Sequence, residues 1–449
     1  MRITVNPPKS EWADLLRRPQ IDAPVIGERV AAILERVRAG GDRAVLDLTA
    51  EIDSVALDSL EVAPEEIERA EAAVSPELKR AIATAAEHIE RFHAAQRPRT
   101  VDLETAPGVR CLQRAVPIRR VGLYVPGGSA PLFSTVLMLQ HDLFVAGCEQ
   151  IVLCTPPQKD GSVAPAVLYA ASVAGVRHIF KAGGAQAIGA MAYGTQSIPR
   201  VDKIFGPGNQ YVTAAKQQVA SSSVAIDMPA GPSEVLVMAD STAVPAFVAA
   251  DLLSQAVNRQ DQSLRSPARR VAADLLSQAE HGPDSQTVLL TPSRGLAEQV
   301  AREVERQLAA LPRRQTAALA IENSRIVVLD SPDEMIEMSN AYAPEHLILS
   351  VEDPWAVAER ITAAGSVFLG NYTPESAGDY ASGTNHTLPT YGWARSMSGV
   401  NLDSFLRKIT YQQITPDGLR GLGPTIETMA SAEGLDAHRN AVTIRFESL

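Results

Sequence analysis

The segment VGLYVPGG, residues 121–128, is a short apolar run that ends in proline and glycine. Further runs of this kind follow along the chain, each succeeded by an amphipathic stretch: IVLCTPP, HIFKAGG, KIFGPGN, EVLVMAD, TVLLTP, RIVVL, HLILS and SVFLG. Alternating strands and helices predict parallel sheets with helices on both faces. Because about nine strands are more than one small sheet usually holds, the sequence predicts an α/β fold with two doubly wound units.

The segments before and after these runs do not show the alternation of apolar runs and amphipathic stretches. The first 118 residues are predicted to be mostly helical. Within them, Ser75 is a suitable N-cap for a helix with one apolar face, made of Leu78, Ile82, Ala85, Ile89 and Phe92. Beyond about residue 377 a Gly/Ser-rich loop and then helices are predicted, as a small C-terminal region outside the sheets. Arms of this kind often serve assembly.

The composition is that of a globular enzyme. The 449 residues are 45% hydrophobic, which is enough for two or three packed domains. A formal net charge of -11 argues against nucleic acid or an anionic membrane as the main partner and favours small molecules. Neither a signal segment nor an apolar run of membrane-spanning length is found, so the cytoplasm is the expected compartment. Cys111, Cys148 and Cys154 are expected to be buried filler, with a nucleophilic Cys154 as the alternative.

One nine-residue sequence, VAADLLSQA, occurs twice, at residues 248–256 and 271–279. Chance identity of this length is implausible, and two copies do not make a solenoid, so a tandem duplication is the simplest origin. The polar stretch between the copies is expected to be a solvated loop or a frayed helix.

Glycine clusters follow three of the predicted strands: PGGS at 126–129, GGAQ at 183–186 and GPGN at 206–209. In an open α/β sheet, such glycines let backbone N–H groups approach a phosphate at a helix N-terminus. None of the clusters is GxGxxG, and glycines after strands also make tight turns. On this ground alone, nucleotide binding and simple turn formation stay equally open.

Four of the eight histidines lie in polar, Gly- or Pro-rich settings: His281, His346, His386 and His438. They could supply a metal or acid–base site, or they could be unrelated surface residues. Gln278 and His281 lie three residues apart, so a helix ending near Gly282 would put both on one face. Together with Asp379, these nitrogen and oxygen donors suit zinc, and manganese or cobalt would accept the same ligand types.

Several long motifs, in order along the chain, resemble histidinol dehydrogenase: VPGGSAPLFSTVLML, GGAQAI, FGPGN, IDMPAGPSEVLV, SQAEHGPDSQ, APEHL and ESAGDYASGTNHTLPTYG. The resemblance runs from about Val121 to the C-terminus. It implies two incomplete Rossmann-like domains with small terminal segments that intertwine a homodimer. The implied division is an N-terminal arm at 1–20, a first α/β domain at 21–118 plus 234–376 that contains the repeat, an NAD-binding domain at 119–233, and a C-terminal dimerisation and active-site segment at 377–449.

The resemblance also implies the site residues. The zinc ligands would be Gln278, His281, Asp379 and His438, the last from the other subunit. The catalytic pair would be Glu345 and His346. Substrate contacts would come from His346 and the zinc ligands, together with Ser233, His386 and Glu433. NAD contacts would come from Tyr124, Gln186 and Asn209.

The implied reaction is the zinc-dependent oxidation of L-histidinol through L-histidinal to L-histidine with two molecules of NAD, the final steps of histidine biosynthesis. His346 would remove the hydroxyl proton, because the unperturbed pKa of histidine lies near neutrality. Glu345 would activate water on the aldehyde, and zinc would position the substrate without a redox role. Neighbouring strand residues point to opposite faces, so Glu345 and His346 must lie in a bend before the strand HLILS.

Two features depart from the family pattern. His141-Asp142 stands where a small or apolar residue and a proline are usual, and His141 is expected to be exposed rather than catalytic. The repeat lengthens the segment before the predicted metal ligands. Two other functions therefore stay open: a zinc hydrolase that uses the Glu-His pair on water, and a non-catalytic binding protein whose site the repeat has disabled.

Overall fold

The computed structural model of the chain describes residues 1–19, 23–127, 132–229, 231–257, 285–310 and 314–449. The strands in these ranges are β1 Arg2–Val5, β2 Val101–Ala106, β3 Val109–Pro117, β4 Arg120–Tyr124, β5 Gln150–Thr155, β6 His178–Lys181, β7 Lys203–Phe205, β8 Ala225–Ile226, β9 Glu234–Ala239, β10 Gln286–Thr291, β11 Arg325–Val328, β12 His346–Ser350, β13 Ser366–Leu369 and β14 Leu406–Ile414. The α-helices in these ranges are α1 Trp12–Leu15, α2 Ala23–Ile52, α3 Pro64–Ala73, α4 Pro76–Ala94, α5 Phe133–Ala146, α6 Pro165–Val173, α7 Gly184–Tyr193, α8 Gln210–Ala220, α9 Pro245–Val257, α10 Arg294–Ala310, α11 Arg314–Asn323, α12 Pro332–Tyr342, α13 Pro354–Ala358, α14 Glu375–Tyr380, α15 Pro416–Ala432 and α16 Asp436–Phe446.

The first of two parallel sheets has five strands in the order β6-β5-β4-β7-β8. Its chain order runs outward from β4 to one side and then reverses at β7, which is the order of a doubly wound sheet. The reversal lies between β4 and β7, and ligands of such sheets bind beyond the carboxyl ends of the strands at this place.

The second parallel sheet has six strands in the order β1-β11-β10-β9-β12-β13. Strands β9 to β13 repeat the order of the first sheet, with the reversal between β9 and β12. All nine apolar runs of the sequence are strands in one sheet or the other, so the predicted α/β fold with two doubly wound units is confirmed. The extra edge strand β1 was not predicted.

The helices of residues 23–94 cover the five-stranded sheet. Helix α2 packs on α7 and α8, α3 packs on α6, and α4 packs on α5. These contacts differ from the predicted grouping of residues 21–118 with 234–376, because an amphipathic face shows that a helix is packed but not which sheet it packs against. In α4 the Ser75 side chain accepts a hydrogen bond from the Leu78 N–H, so the predicted N-cap is confirmed. On the predicted apolar face, Ile82 and Ile89 are buried, whereas Phe92 is 47% exposed.

A third, antiparallel sheet joins β14, β3 and β2. The residues before 118 are mostly helical, as predicted, but β2 and β3 within them were not predicted. A loop and helices follow residue 377 as predicted, and β14 among them was not predicted. Five of the six residues of β2 and eight of the nine of β14 are exposed. These strands therefore lack the buried apolar run by which the other strands were found.

The first copy of the repeat forms most of helix α9, in which Val248, Ala249 and Leu252 are fully buried against the six-stranded sheet and its helices. The second copy and the polar stretch lie outside the described residues. Among the cysteines, Cys154 is fully buried, and burial raises the pKa of its thiol above the usual range, so the filler role is favoured over a nucleophile. Within the described ranges, no helix combines the length and the apolarity that crossing a membrane would require.

Candidate active site

The predicted catalytic pair lies at the amino end of β12, beside the amino end of the neighbouring strand β9. Helix α12 ends at Ala343, which adopts the left-handed conformation with φ 53°, and the chain turns there towards β12. Glu345 precedes the strand and His346 begins it, so the pair occupies the bend that its assignment requires. Gly365 makes this bend possible from the other side, because a Cβ there would lie 2.5 Å from the Glu345 carbonyl oxygen.

The backbone of Glu234 holds both members of the pair. Its N–H donates to Glu345 Oε2 at 3.0 Å, and its carbonyl oxygen lies 3.2 Å from His346 Nδ1. A carbonyl can only accept a hydrogen bond, so this contact assigns the proton to Nδ1 and leaves a lone pair on Nε2. Glu345 Oε2 lies 3.6 Å from the same Nδ1, where its charge would stabilise the imidazole once Nε2 is protonated.

His346 Nε2 faces two carboxylates of helix α14. It lies 3.7 Å from Glu375 Oε1 and 3.8 Å from Asp379 Oδ1. The ligand atoms of these three buried side chains lie within 4.8 Å of one another. Helix α14 can approach so closely because Gly378 leaves room for the Phe368 ring, which a Cβ at that position would meet at 2.8 Å.

Glu375 was not predicted as a site residue. The available signal was its spacing, since Glu375 and Asp379 are four apart in ESAGDY and share one helical face. Helix α9 reaches the same carboxylate, because Ser254 Oγ donates to Glu375 Oε2 at 2.8 Å. Burial, with the charge of Glu375, raises the pKa of the partly buried Asp251 to about 7. Several carboxylates and an imidazole gathered in a buried place form a donor set that fits a divalent cation with nitrogen and oxygen ligands.

His386 connects this cluster to the five-stranded sheet. Its Nδ1 lies 3.1 Å from the Asp379 carbonyl oxygen, and its Nε2 lies 3.3 Å from Thr135 Oγ1 in the first turn of α5. Nearby, Asn385 Nδ2 donates to the Met138 carbonyl oxygen at 2.7 Å. The helix that follows β4 therefore touches the loop that follows the cluster.

The residues expected to contact NAD all lie at the carboxyl edge of the five-stranded sheet. Tyr124 ends β4, and Asn209 follows β7 as the N-cap of α8, so the two flank the point where the strand order reverses. Gly206, with φ 128°, is required between them, because a Cβ would lie 2.0 Å from the Tyr124 carbonyl oxygen. Gln186 lies in the first turn of α7 and is 1% exposed, with its Nε2 3.4 Å from Asp53 Oδ2. Burial raises the pKa of that Asp53 carboxyl to about 6.

The remaining predicted residues are placed less centrally in this single chain. Ser233 immediately precedes Glu234 at the start of β9. Glu433 follows α15 and His438 lies in α16, and both are exposed. Gln278 and His281 lie outside the described residues. Helix α5 runs without a break through residues 141 and 142.

Known proteins resemble this chain over its whole length. The profile of the histidinol dehydrogenase family matches residues 16–266 and 261–446, and the two matches overlap between the copies of the repeat. Histidinol dehydrogenase of Bacteroides thetaiotaomicron is 56% identical over 449 residues, which are 100% of both chains. Histidinol dehydrogenase of Escherichia coli K12 is 51% identical over 438 residues, which are 97% of this chain and 95% of the relative. The crystal structure of histidinol dehydrogenase from Elizabethkingia anophelis has a TM-score of 0.92 at 51% identity, covering 100% of this chain and 98% of that one.

Proposed function

Because the chain belongs to the histidinol dehydrogenase family, and is thus an NAD-dependent oxidoreductase of histidine biosynthesis, we propose that it converts L-histidinol to L-histidine through L-histidinal. Two molecules of NAD and one zinc ion per subunit would serve this reaction. The observation that supports the proposal most directly is the pairing of Glu345 and His346 beside Asp379 in one buried place.

Zinc is proposed to be held by Gln278, His281 and Asp379, with His438 of the partner subunit. The surroundings of Asp379 fit such an ion, because the buried carboxylate of Glu375 supplies further oxygen donors within 4.8 Å of it, where a cation would offset the two negative charges. When bound, zinc would fix the imidazole and the amino group of the substrate. Ser233, His386 and Glu433 are proposed to complete the substrate contacts.

A homodimer with a shared site follows from the assignment of His438, and we place this enzyme in the cytoplasm. Several large apolar side chains on the C-terminal elements are exposed in the single chain, as expected of a surface that a second copy covers. They are Ile409, Tyr411, Ile414, Met429, Leu435 and Ile444.

NAD is proposed to bind at the carboxyl edge of the five-stranded sheet, against Tyr124, Gln186 and Asn209. The order reversal between β4 and β7 supports this position. When bound there, the nicotinamide would accept the hydride in each of the two oxidations. The contact between Thr135 and His386 supports this position, because it joins α5, the helix after β4, to the loop beside the catalytic cluster.

The protons are handled by the pair at the start of β12. His346 Nε2 takes the hydroxyl proton while the carbinol carbon of histidinol loses a hydride, and Nδ1–H stays with the Glu234 carbonyl oxygen. Glu345 takes a proton from the water that adds to the aldehyde, which gives the hydrate as its monoanion. The monoanion then loses a hydride, the second of the reaction, and its remaining hydroxyl proton to give the carboxylate. One buried site serves both oxidations, so the reactive aldehyde is not released.

The test is a coupled assay of the purified protein with L-histidinol and NAD, before and after chelation. We expect two NADH for each histidine formed, loss of activity with the chelator and recovery with added zinc. Metal-dependent hydrolysis without NADH formation would point instead to a zinc hydrolase. Bound metal without any turnover would point to a binding protein whose site the repeat has disabled.

A further inference from the structure

An arginine of the N-terminal arm lies behind the catalytic pair. After β1 and α1, the arm runs to Arg18, whose side chain is only 14% exposed. Its guanidinium donates to Glu234 from Nε to Oε1 at 2.5 Å and from Nη2 to Oε2 at 2.7 Å. This is the two-point geometry by which arginine fixes a carboxylate in position as well as in charge.

The same guanidinium also reaches the bend that leads to β12. Nη2 donates to the Tyr342 carbonyl oxygen at 2.9 Å, and the guanidinium carbon lies 4.0 Å from the centre of the Tyr342 ring. Tyr342 is the last residue of α12, directly before the turn that carries Glu345 and His346. Arg18 therefore bridges the starts of β9 and β12.

Glu234 transmits this contact through its own backbone. Its side chain takes a third hydrogen bond from the Tyr391 N–H at 2.7 Å, so the residue is held at both carboxylate oxygens. Its N–H and carbonyl oxygen are the groups that contact Glu345 and His346, at 3.0 and 3.2 Å. A shift of the Glu234 backbone would move both catalytic side chains and would free the proton on His346 Nδ1 from its acceptor.

We propose that Arg18 and Glu234 are positioning residues, which set the orientation of Glu345 and the tautomer of His346 without touching the substrate. The inference rests on the proposed function for its kinetic consequences, whereas the hydrogen-bond geometry does not depend on it. Because small misplacements of reacting groups cost large factors in rate, loss of Arg18 acts on kcat for both histidinol and histidinal. Binding of NAD and of zinc involves other residues and stays unchanged.

The experiment compares R18M, R18K and the double variant R18M/E234Q with the wild type. R18M leaves a buried carboxylate without its cation, so we expect a Tm lower by several degrees and a kcat at least about tenfold lower for both substrates. R18K keeps the positive charge but loses the two-point hydrogen-bond geometry of the guanidinium, so we expect an intermediate kcat. The double variant removes both charges, and we expect its Tm to recover while its kcat stays low.

Zinc content and the KM for NAD are measured in parallel and should match the wild type. R36M is the matched control, because Arg36 forms a two-point pair with Glu51 on the exposed surface of α2, and its kcat should be unchanged. A crystal structure of metal-free R18M/E234Q provides a readout without turnover, in which His346 Nδ1 should lie farther than 3.2 Å from the carbonyl oxygen of position 234.

Recovery of kcat together with Tm in the double variant, with the Nδ1 contact intact, would show that the pair only stabilises the fold and would overturn the inference. If the wild type itself does not oxidise histidinol, the proposed function fails instead. The structure of the double variant then still decides whether Arg18 and Glu234 set the position of His346.

Discussion

At the scale of single residues, the site is built as much by backbone groups as by side chains. The N–H and the carbonyl oxygen of Glu234 fix the two side chains that are proposed to carry the protons. Because Nδ1 of His346 is committed to that carbonyl oxygen, only Nε2 is available as a base. The two neighbours can therefore serve different steps, and the difference can be measured.

Substitution of each member of the pair should affect a different half of the reaction. We expect Glu345→Gln to slow histidinal oxidation most, because an amide cannot take a proton from water. We expect His346→Asn to lower the turnover of histidinol, by roughly 100-fold or more, because the base is lost. The measurements are kcat for each substrate and the zinc content, which both variants should retain. Glu337→Gln, an exposed carboxylate of α12, is the control. Equal losses for both substrates in both variants, or loss of zinc from either, would contradict this division.

A second residue-scale prediction concerns Asp53. Burial raises its pKa from 3.8 to about 6, so the folded chain binds the proton more tightly than the unfolded chain does. The free energy of unfolding should therefore fall as the pH rises from about 4 to about 6, and the lost stability should not return above that range. Asp53→Asn removes this cost, so we expect about 1 kcal/mol of added stability near pH 8, after discounting for partial exposure, and little change near pH 4.

Denaturant unfolding at several pH values measures the effect. Asp58→Asn, an exposed carboxylate of the same segment, is the control. An equal gain for Asp53→Asn at both ends of the pH range would show that its charge is not responsible.

The sequence could predict the candidate site residues whose side chains belong to recognisable motifs. It could not predict which backbone groups hold those side chains. Glu345 and His346 were identified from the resemblance, and the structure brings them beside Asp379 and His386. The contribution of Glu234 was not predictable, because any residue has the same N–H and carbonyl groups, and only the folded chain shows which of them meet the pair.

At the scale of elements, helix α9 contains the first copy of the repeat and also contacts the candidate active site. The first copy of VAADLLSQA supplies its buried residues and also the Ser254 hydroxyl that donates to Glu375. The second copy has the same nine residues and can form the same contacts. It alone continues into EHGPDSQ, which carries His281 three residues after Gln278.

Deletion of residues 248–270 should therefore be tolerated. The deletion joins the second copy directly to the start of α9, and its 23-residue length keeps every helix position in phase. We expect activity and Tm equal to those of the full chain or higher. Deletion of residues 249–270, which is one residue shorter, rotates the helix by about 100° and should be destabilising.

Two point variants of the full chain test which copy serves the metal. Gln278→Ala should weaken zinc binding, measured by competition with a chelator, while Gln255→Ala should leave it nearly unchanged. Loss of zinc from Gln255→Ala with retention by Gln278→Ala would show that the first copy is the ligand-bearing one.

The sequence predicted the buried strands but not the exposed ones, because only buried strands carry a clear apolar pattern. Strands buried on both faces are continuous apolar runs, and all nine of them were recognised. Strands β2 and β14 are almost entirely exposed and β3 between them is mostly half-buried, so their sequences lack a continuous apolar run and resemble loops or helix surfaces. The sheet that each N-terminal helix covers depends on contacts with distant residues, which one sequence does not reveal.

At the scale of the whole molecule, two sheets that share a strand order carry the proposed site residues at opposite edges. The five-stranded sheet presents its carboxyl edge, where Tyr124 and Asn209 flank the order reversal. The six-stranded sheet presents its amino edge, where Glu234 and His346 begin their strands. Glu433 and His438 are exposed in the single chain, so we expect their proposed contacts with substrate and zinc to be made in the active site of a second subunit.

Mixed dimers should reveal such sharing. An inactive His438→Ala chain refolded with an inactive His281→Ala chain should give dimers with one intact site each. At random pairing, about half of the dimers are mixed, so we expect about one quarter of wild-type activity. His438→Ala mixed with the chain that carries both substitutions is the control and should stay inactive. No recovery, with mixed dimers demonstrated, would show that each subunit is complete.

The edge strand β1 has a consequence for the order in which the enzyme matures on the ribosome. Residues 2–5 are synthesised long before residues 325–328, their partners in the sheet, and Arg18 is synthesised long before Glu234 and Tyr342, which it contacts. At 5 to 20 residues per second, roughly 15 to 70 s pass between the synthesis of the arm and that of residue 346. During that time the arm is an unpaired strand exposed to other chains. We therefore expect Glu345 and His346 to reach their final positions only after synthesis has passed residue 346, long after the arm itself is made, and we expect chaperones to bind the nascent chain over this interval.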